Sequence, residues 1–418
     1  MSMLIEFSVT NFRSIRDKVT LSMVADKSIS KKNELPDNLI EVDKNLHLLK
    51  SAVIYGRNAS GKSNVLKALF NLVTLVSESQ NYSVGQEINL HNPFSFQKGS
   101  SEIPNQFEII FLLFNKEENS KIKYHYKVDI DFEKIRYESL YFYPKGQRAK
   151  LFEREYGKEI TYGDSLKGNK KNIEDGLLEN QLFLSKSSSY RLEILNEVYS
   201  YIVKKIFIYL DLDLYEKMQN ENNMKSIYNL LEIQLAKKNL LELLKAADTG
   251  ITDILTLNDD KLIFTKHDYA NSESDFINSL LFLNEESSGT RRLITIFLPI
   301  FGSLITGTIV IIDELDKSLH PLLTKMLIQI FHSKKNNPNN AQLIFATHDS
   351  SLMSGELFRR DQMFITEKDE IGQTSIKSLA SIKGVRRDIP FEKWYLNGSF
   401  GGIPVIYEPE FEFTDNKS

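Results

Sequence analysis

The chain has 418 residues, with 52 Lys plus Arg against 56 Asp plus Glu, so its net charge is −4. Its 41% hydrophobic and 26% charged content is that of an ordinary globular protein with enough length for two or three structural units. It has no cysteine, which excludes disulfides, thiolate metal sites and a cysteine nucleophile, and suits a reducing cytoplasm.

In chain order, Leu4–Val9 and Val19–Val24 alternate in polarity and read as strands, and residues 26–48 read as polar loop. The N-terminus lacks a basic stretch followed by an apolar run, so no signal peptide is expected. The apolar Ser51–Tyr55 reads as a strand. It leads through a Gly-containing turn into an amphipathic helix with Val65, Leu66, Leu69 and Phe70 on one side. From about residue 105 the pattern becomes antiparallel β. Ile122–Phe132 alternates without a break, and 136–143 continues it after a tight connection. Lys121, Lys123, His125 and Lys127 line one face of that strand, which reads first as a solvated stripe and second as a phosphate-backbone contact.

Residues 145–180 read as loop. From 188 to 248 the period is helical and suggests a short hairpin, too short for a coiled-coil arm. A strand is expected at Lys261–Phe264. Leu293–Ile312 is uncharged and long enough to cross a bilayer, but Pro299, Gly302 and Gly307 interrupt it and it ends in carboxylates, so no membrane span is expected.

The chemistry concentrates at four places. Gly56-Arg57-Asn58-Ala59-Ser60-Gly61-Lys62-Ser63 fits the phosphate-loop pattern between a strand and a helix. The loop's backbone N–H groups would surround an anion, Lys62 would reach the terminal phosphates and the Ser63 hydroxyl would ligate Mg²⁺. Thr308–Ile312 is a buried-type strand ending in Asp313 and Glu314, placed to hold Mg²⁺ and to polarise an attacking water. A second such strand, Gln342–Thr347, ends at His348, a candidate γ-phosphate sensor. Ser287, Ser288, Gly289 and Thr290 open the apolar helix upstream of Asp313. Small residues there suit an anion, or simply cap the helix.

Together these residues resemble the ATP-binding-cassette ATPases of the SMC, RecF and OLD-like group, over roughly 1–80 and 256–405. Asp313–Pro321 is similar to the OLD-like acidic motif and D-loop, with Asp316 in the D-loop. Asn11-Phe12-Arg13-Ser14 is similar to the element near the adenine and phosphates, which makes Arg13 a candidate ATP contact. Tyr395–Pro404 resembles the end of stand-alone bacterial ATPases of abortive infection and anti-phage defence.

The resemblance implies an α/β fold, an ABC-type P-loop ATPase head with an antiparallel β lobe and an inserted short helical subdomain. The expected divisions are a first head half at 1–85, a β lobe at 86–187, a helical insertion at 188–255, a second head half at 256–405 and a tail at 406–418. It further implies ATP and Mg²⁺ as cofactors and a head-to-head ATP sandwich, in which Ser287–Thr290 of one copy meet the phosphate loop of another. A nuclease or toxin encoded nearby would be the gated partner.

Two departures stand out. The signature reads Ser-Ser-Gly-Thr where the family has Ser-Gly-Gly-Gln. The stretch Leu182–Ser187, which the resemblance aligns with the Mg²⁺-sensing glutamine's position, has no glutamine at the expected place, and Gln181 is the nearest substitute. Other readings are a DNA-binding repair ATPase, a non-hydrolysing nucleotide-gated scaffold, and a nuclease using the acids at Glu367, Asp369 and Glu370. The last group is expected to be surface charge, because few residues follow His348.

Overall fold

The structure is a computed structural model and describes residues 2–27, 35–115, 120–210, 229, 231–257, 262–267, 279–404, 406–409 and 411. Two large sheets organise it. The first has seven antiparallel strands: β1 (Met3–Thr10), β2 (Val19–Ser22), β6 (Asn105–Asn115), β7 (Ser120–Ile130), β8 (Ile135–Tyr143), β9 (Ala149–Glu155) and β10 (Thr161–Tyr162). Their order is β10-β9-β8-β7-β6-β1-β2. The N-terminal strand β1 therefore pairs directly onto the later β region, with Phe7 opposite Ile109, and β2 pairs along its other side.

The second sheet has six strands: β5 (Ser51–Tyr55), β11 (Ile206–Tyr209), β15 (Ile309–Ile312), β16 (Gln342–Ala346), β17 (Met363–Lys368) and β18 (Thr374–Ser378). Their order is β11-β15-β16-β5-β17-β18. All neighbours are parallel except the β17–β18 edge. β5, β15 and β16 are buried throughout, as expected for apolar runs covered on both faces.

Strand alternation divides the core in two. Ala52, Ile54, Ile309, Ile311 and Ile344 face the cluster that holds α1 (Lys62–Glu78), α4 (Glu193–Lys205) and the antiparallel sheet. Val53, Val310, Ile312, Leu343 and Phe345 face α5 (Gln234–Ala246), α6 (Ser288–Thr306) and α7 (Pro321–His332). On α1, Val65, Leu66 and Leu69 are buried as expected, but Phe70 lies on the solvent side at 40% exposure.

The two helical runs between 188 and 248 both form, but not as a hairpin. α4 packs into the first core, with Tyr201 stacked on Phe111 at 4.2 Å, and runs into core strand β11. α5 belongs to the second core. Leu230, within the expected helical stretch, and Lys261, expected in a strand, lie outside the described residues, as does all of the tail after 411.

The loops expected at 26–48 and 145–180 contain more order than their polarity suggested. β3 (Leu39–Glu41) and β4 (His47–Leu49) form a small hairpin, and β9 and β10 extend the large sheet. Among the described residues no helix is long and apolar enough to cross a membrane. The uncharged run from Leu293 becomes α6, turned at Gly307 (φ 61°), and then β15.

Candidate functional site

The ends of the parallel strands gather the predicted residues. β5 stops at Tyr55, and Gly56 to Gly61 cross to the start of α1. Gly56 takes φ 149°, and a side chain there would collide with the Thr366 and Ser60 hydroxyls, so the loop closes only around glycine. Lys62 is buried and folds back on the loop. Its Nζ donates to the carbonyls of Gly56 (2.7 Å) and Arg57 (3.3 Å). Burial pulls its pKa down to about 8, against the opposing pull of Asp313, Glu314 and Asp316.

β15 delivers Asp313 and Glu314 beside that lysine. Burial raises the Asp313 pKa, and a hydrogen bond with the Ser63 hydroxyl opposes the rise. The Asp313 Oδ1 is buried without a hydrogen-bond partner. A hydroxyl touching a buried carboxylate that keeps a spare oxygen is a donor set that fits Mg²⁺. Glu314 is exposed, takes left-handed φ 52°, and has its carbonyl held by Arg292 Nη2 at 2.9 Å. β16 brings His348 to the same edge. It is exposed, and its backbone N–H donates to Asp316 Oδ2 at 3.4 Å. The loop at 56–63, Asp313, Glu314, Asp316 and His348 thus meet along one edge of one sheet.

Ser287 caps α6, its Oγ accepting the Thr290 N–H at 3.1 Å and lying 2.8 Å from the Thr290 hydroxyl. Ser287 and Ser288 are exposed. Gly289 lies against the segment after Glu314, where a side chain would stand 3.0 Å from the Ser318 carbonyl. Just before it, Glu286 is buried and engages Thr265 and His267 Nε2, the latter at 2.7 Å.

Arg13 is exposed and holds φ 53° beside buried Asn11, whose amide donates to the Ser100 (3.1 Å) and Ile103 (2.7 Å) carbonyls. The next residue, Ser14, reaches the phosphate loop. Its hydroxyl meets Thr374 Oγ1 at 2.7 Å and accepts from Asn64 at 2.7 Å. Thr374 in turn donates to the Ser60 carbonyl at 2.9 Å, and Thr366 links the Ser60 hydroxyl (2.7 Å) to the Tyr55 carbonyl (3.0 Å). Ser14, Thr366 and Thr374 are bracing residues that sequence reasoning missed. Ser14 belongs to the N-terminal element already singled out for Arg13, whereas Thr366 and Thr374 lie 306 and 314 positions from Ser60, in stretches whose only signal is ordinary β-propensity.

Gln181 does not belong to this site. It is buried, with Nε2 donating to the carbonyls of Gln80 (3.0 Å) and Tyr82 (2.9 Å), just beyond the C-terminal end of α1. Roughly 25 Å of helix separates that point from the phosphate loop. The glutamine substitute is therefore corrected to a structural tie. β11 reaches the acidic edge instead, with the Tyr209 carbonyl accepting the Asp313 N–H at 2.9 Å.

The lysine stripe on β7 is engaged. His125 Nε2 lies 2.6 Å from Glu108, Lys127 lies 3.7 Å from Asp129, and Lys123 sits over the Tyr143 ring. Glu367 pairs with Lys377 at 2.7 Å, and Asp369 Oδ1 accepts the N–H groups of its own turn. Among the described residues no group of three or more His, Asp or Glu is placed to hold a metal ion together.

The family model described as "AAA domain, putative AbiEii toxin, Type IV TA system" matches residues 51–354, well over half of the chain. No curated protein matches it in sequence. Among solved structures it is similar to an SMC head bound to the C-winged helix domain of ScpA, at 15% identity over 90% of this chain and 97% of that one, with a TM-score of 0.47. It is also similar to the SMC head domain from Thermotoga maritima, at 14% identity over 90% and 98% of the two chains, with a TM-score of 0.41.

Proposed function

The chain belongs to this AAA-domain family, and from that premise we propose that it binds ATP with Mg²⁺, hydrolyses it, and uses ATP-dependent association of two copies to gate a partner effector. The observation that carries the reading is the meeting of Ser63 with Asp313, whose Oδ1 is buried and unpartnered, next to the Lys62 ammonium.

The loop's N–H groups and Lys62 would hold the β- and γ-phosphates, with Arg57, Asn58, Ala59 and Ser60 lining the loop and Arg13 approaching the adenosine from the N-terminal element. Ser63 and Asp313 would hold Mg²⁺, which when bound neutralises developing phosphate charge. Glu314 would accept a proton from the water that attacks the γ-phosphorus, and the β–γ bridging oxygen would leave with ADP. His348 would steady the γ-phosphate, and Asp316 holds the His348 backbone beside it.

Ser287 and Ser288 are exposed in the single chain, so the anion-suited N-terminus they open is accessible to a second copy's nucleotide. This supports a homo-oligomer. The effector, a nuclease or toxin in bacterial anti-phage defence acting in the cytoplasm, follows from family kinship alone. Direct DNA binding has less support, because the β7 lysines already have carboxylate and aromatic partners.

The test is steady-state phosphate release with and without Mg²⁺. The reading expects Mg²⁺-dependent turnover that Lys62→Ala and Glu314→Gln abolish, with Glu314→Gln still binding ATP. Turnover unchanged in Glu314→Gln overturns the assignment. Binding without turnover in the unmodified chain favours a nucleotide-gated scaffold.

A further inference from the structure

The chain returns to the phosphate loop near residue 400. Gly401 and Gly402 have φ of 74° and 70°, and they turn the backbone after buried Phe400 onto the back of the loop. A side chain on Gly402 would stand 3.5 Å from Cα of Gly56 and 3.1 Å from the Thr366 carbonyl, and one on Gly401 would collide with the Glu367 carboxylate. That carboxylate accepts the Gly402 N–H at 3.0 Å and is held from the other side by Lys377 at 2.7 Å.

Tyr395, on the short helix α8 (Phe391–Leu396), completes the contact. It is buried, with its ring 6.0 Å from that of Tyr55, the residue before Gly56. Its hydroxyl donates to the Gly402 carbonyl at 3.2 Å, and the Gly56 backbone is near enough to counter the rise that burial imposes on its pKa. The phenol oxygen therefore lies between the first glycine of the loop and the Gly401–Gly402 turn.

We propose that Tyr395 and the Gly401–Gly402 turn, anchored by Glu367, are positioning parts of the nucleotide site: they set the backbone of Gly56 from behind. This rests on the ATP-binding reading above. Gly56 sits where its backbone is touched by Thr366 on one side and Gly402 on the other, so it cannot move without moving the turn. Binding of a nucleoside triphosphate and docking of the turn then stabilise each other, because such coupling is reciprocal. Anything that pulls on the chain after Gly402 loosens the grip on phosphate.

The test uses the full chain. Hydrogen exchange of residues 395–402 is followed with and without Mg-ATP, and ATP affinity is measured by calorimetry. ATP is expected to slow exchange in this segment. Tyr395→Phe, which keeps the ring and removes the hydroxyl, is expected to weaken ATP about three- to tenfold, the worth of one net hydrogen bond, without changing cooperative thermal unfolding. Glu367→Gln, a milder change, is expected to weaken it in the same direction.

ATP binding that leaves exchange at 395–402 unchanged overturns the proposal, as does wild-type affinity in both variants. Absence of ATP binding by the unmodified chain overturns the functional reading together with it. If the variants do not fold, exchange in the unmodified chain decides alone.

Discussion

Arg292 Nη2 donates to the backbone carbonyl of Glu314 over 2.9 Å. The helix that begins at Ser288 thus holds the backbone of Glu314, just past the end of β15, in a left-handed conformation that costs a non-glycine residue about 1–2 kcal/mol. Arg292→Met should free that carbonyl while keeping most of the buried volume. We expect kcat to fall about tenfold, a loss of roughly 1.4 kcal/mol in transition-state stabilisation, with the KM for ATP within about twofold. Steady-state phosphate release over a range of ATP concentrations separates the two parameters.

Glu314→Gln should remove the proton acceptor and leave the shape of the site. Turnover should drop by about two orders of magnitude or more, while ATP binding persists and copies accumulate in an associated state. Size-exclusion chromatography with light scattering, with and without ATP, reads the second effect. A monomeric Glu314→Gln–ATP complex would contradict the sandwich.

Composite sites can be tested by mixing. Lys62→Ala lacks a working phosphate loop but keeps its signature, and Gly289→Asp has the reverse defect. Each alone should be inactive. An equimolar mixture should recover about a quarter of wild-type turnover, since half the dimers are mixed and each restores one of its two sites. Continued inactivity of the mixture would place the whole site within one chain.

The Lys62 ammonium titrates at about 8 in the free chain, because burial opposes its charge. A bound triphosphate should raise that value. ATP binding near pH 8.5 should therefore take up part of a proton, and at pH 6.5 this lysine should contribute none. Calorimetry in buffers of different ionisation enthalpy measures the uptake. The sign for stability follows from the same shift. Between pH 8 and the ordinary lysine value of 10.5 the unfolded chain binds more protons, so the cost of the buried charge is fully present below 8 and relieved above 10.5. Lys62→Met should stabilise the nucleotide-free chain at pH 7 and lose that advantage across this window.

His332 is buried, 2.8 Å from the Ser51 hydroxyl, and burial lowers its pKa to about 3. Here too the unfolded chain binds more protons, now between 6.5 and 3. Stability should be full above pH 6.5 and decline as pH falls toward 3. His332→Gln should flatten that acid limb in urea titrations at several pH values.

The legible part of the site was the part carried by contiguous residues. Gly56–Ser63 and Asp313–Glu314 each combine a buried strand with a polar terminus, and strand burial places such termini on one edge. The braces were illegible. Thr366 and Thr374 are unremarkable strand residues, and only the β5–β17 pairing and the β17–β18 turn bring their hydroxyls to Ser60. Gln181 misled because proximity in sequence to the family's glutamine says nothing about which end of α1 it reaches.

The sequence by itself determined the two-faced parallel core, the antiparallel strands and the chemical groups at the strand ends, because these follow from the 2.0 and 3.6 residue periods and from local loop chemistry. Tertiary structure alone decided that β1 and β2 join the antiparallel sheet, that α4 and α5 enter different cores, and that Tyr395 and Gly402 close on Gly56. These are long-range pairings between faces of similar polarity. Shape complementarity, which no local pattern encodes, selects among them.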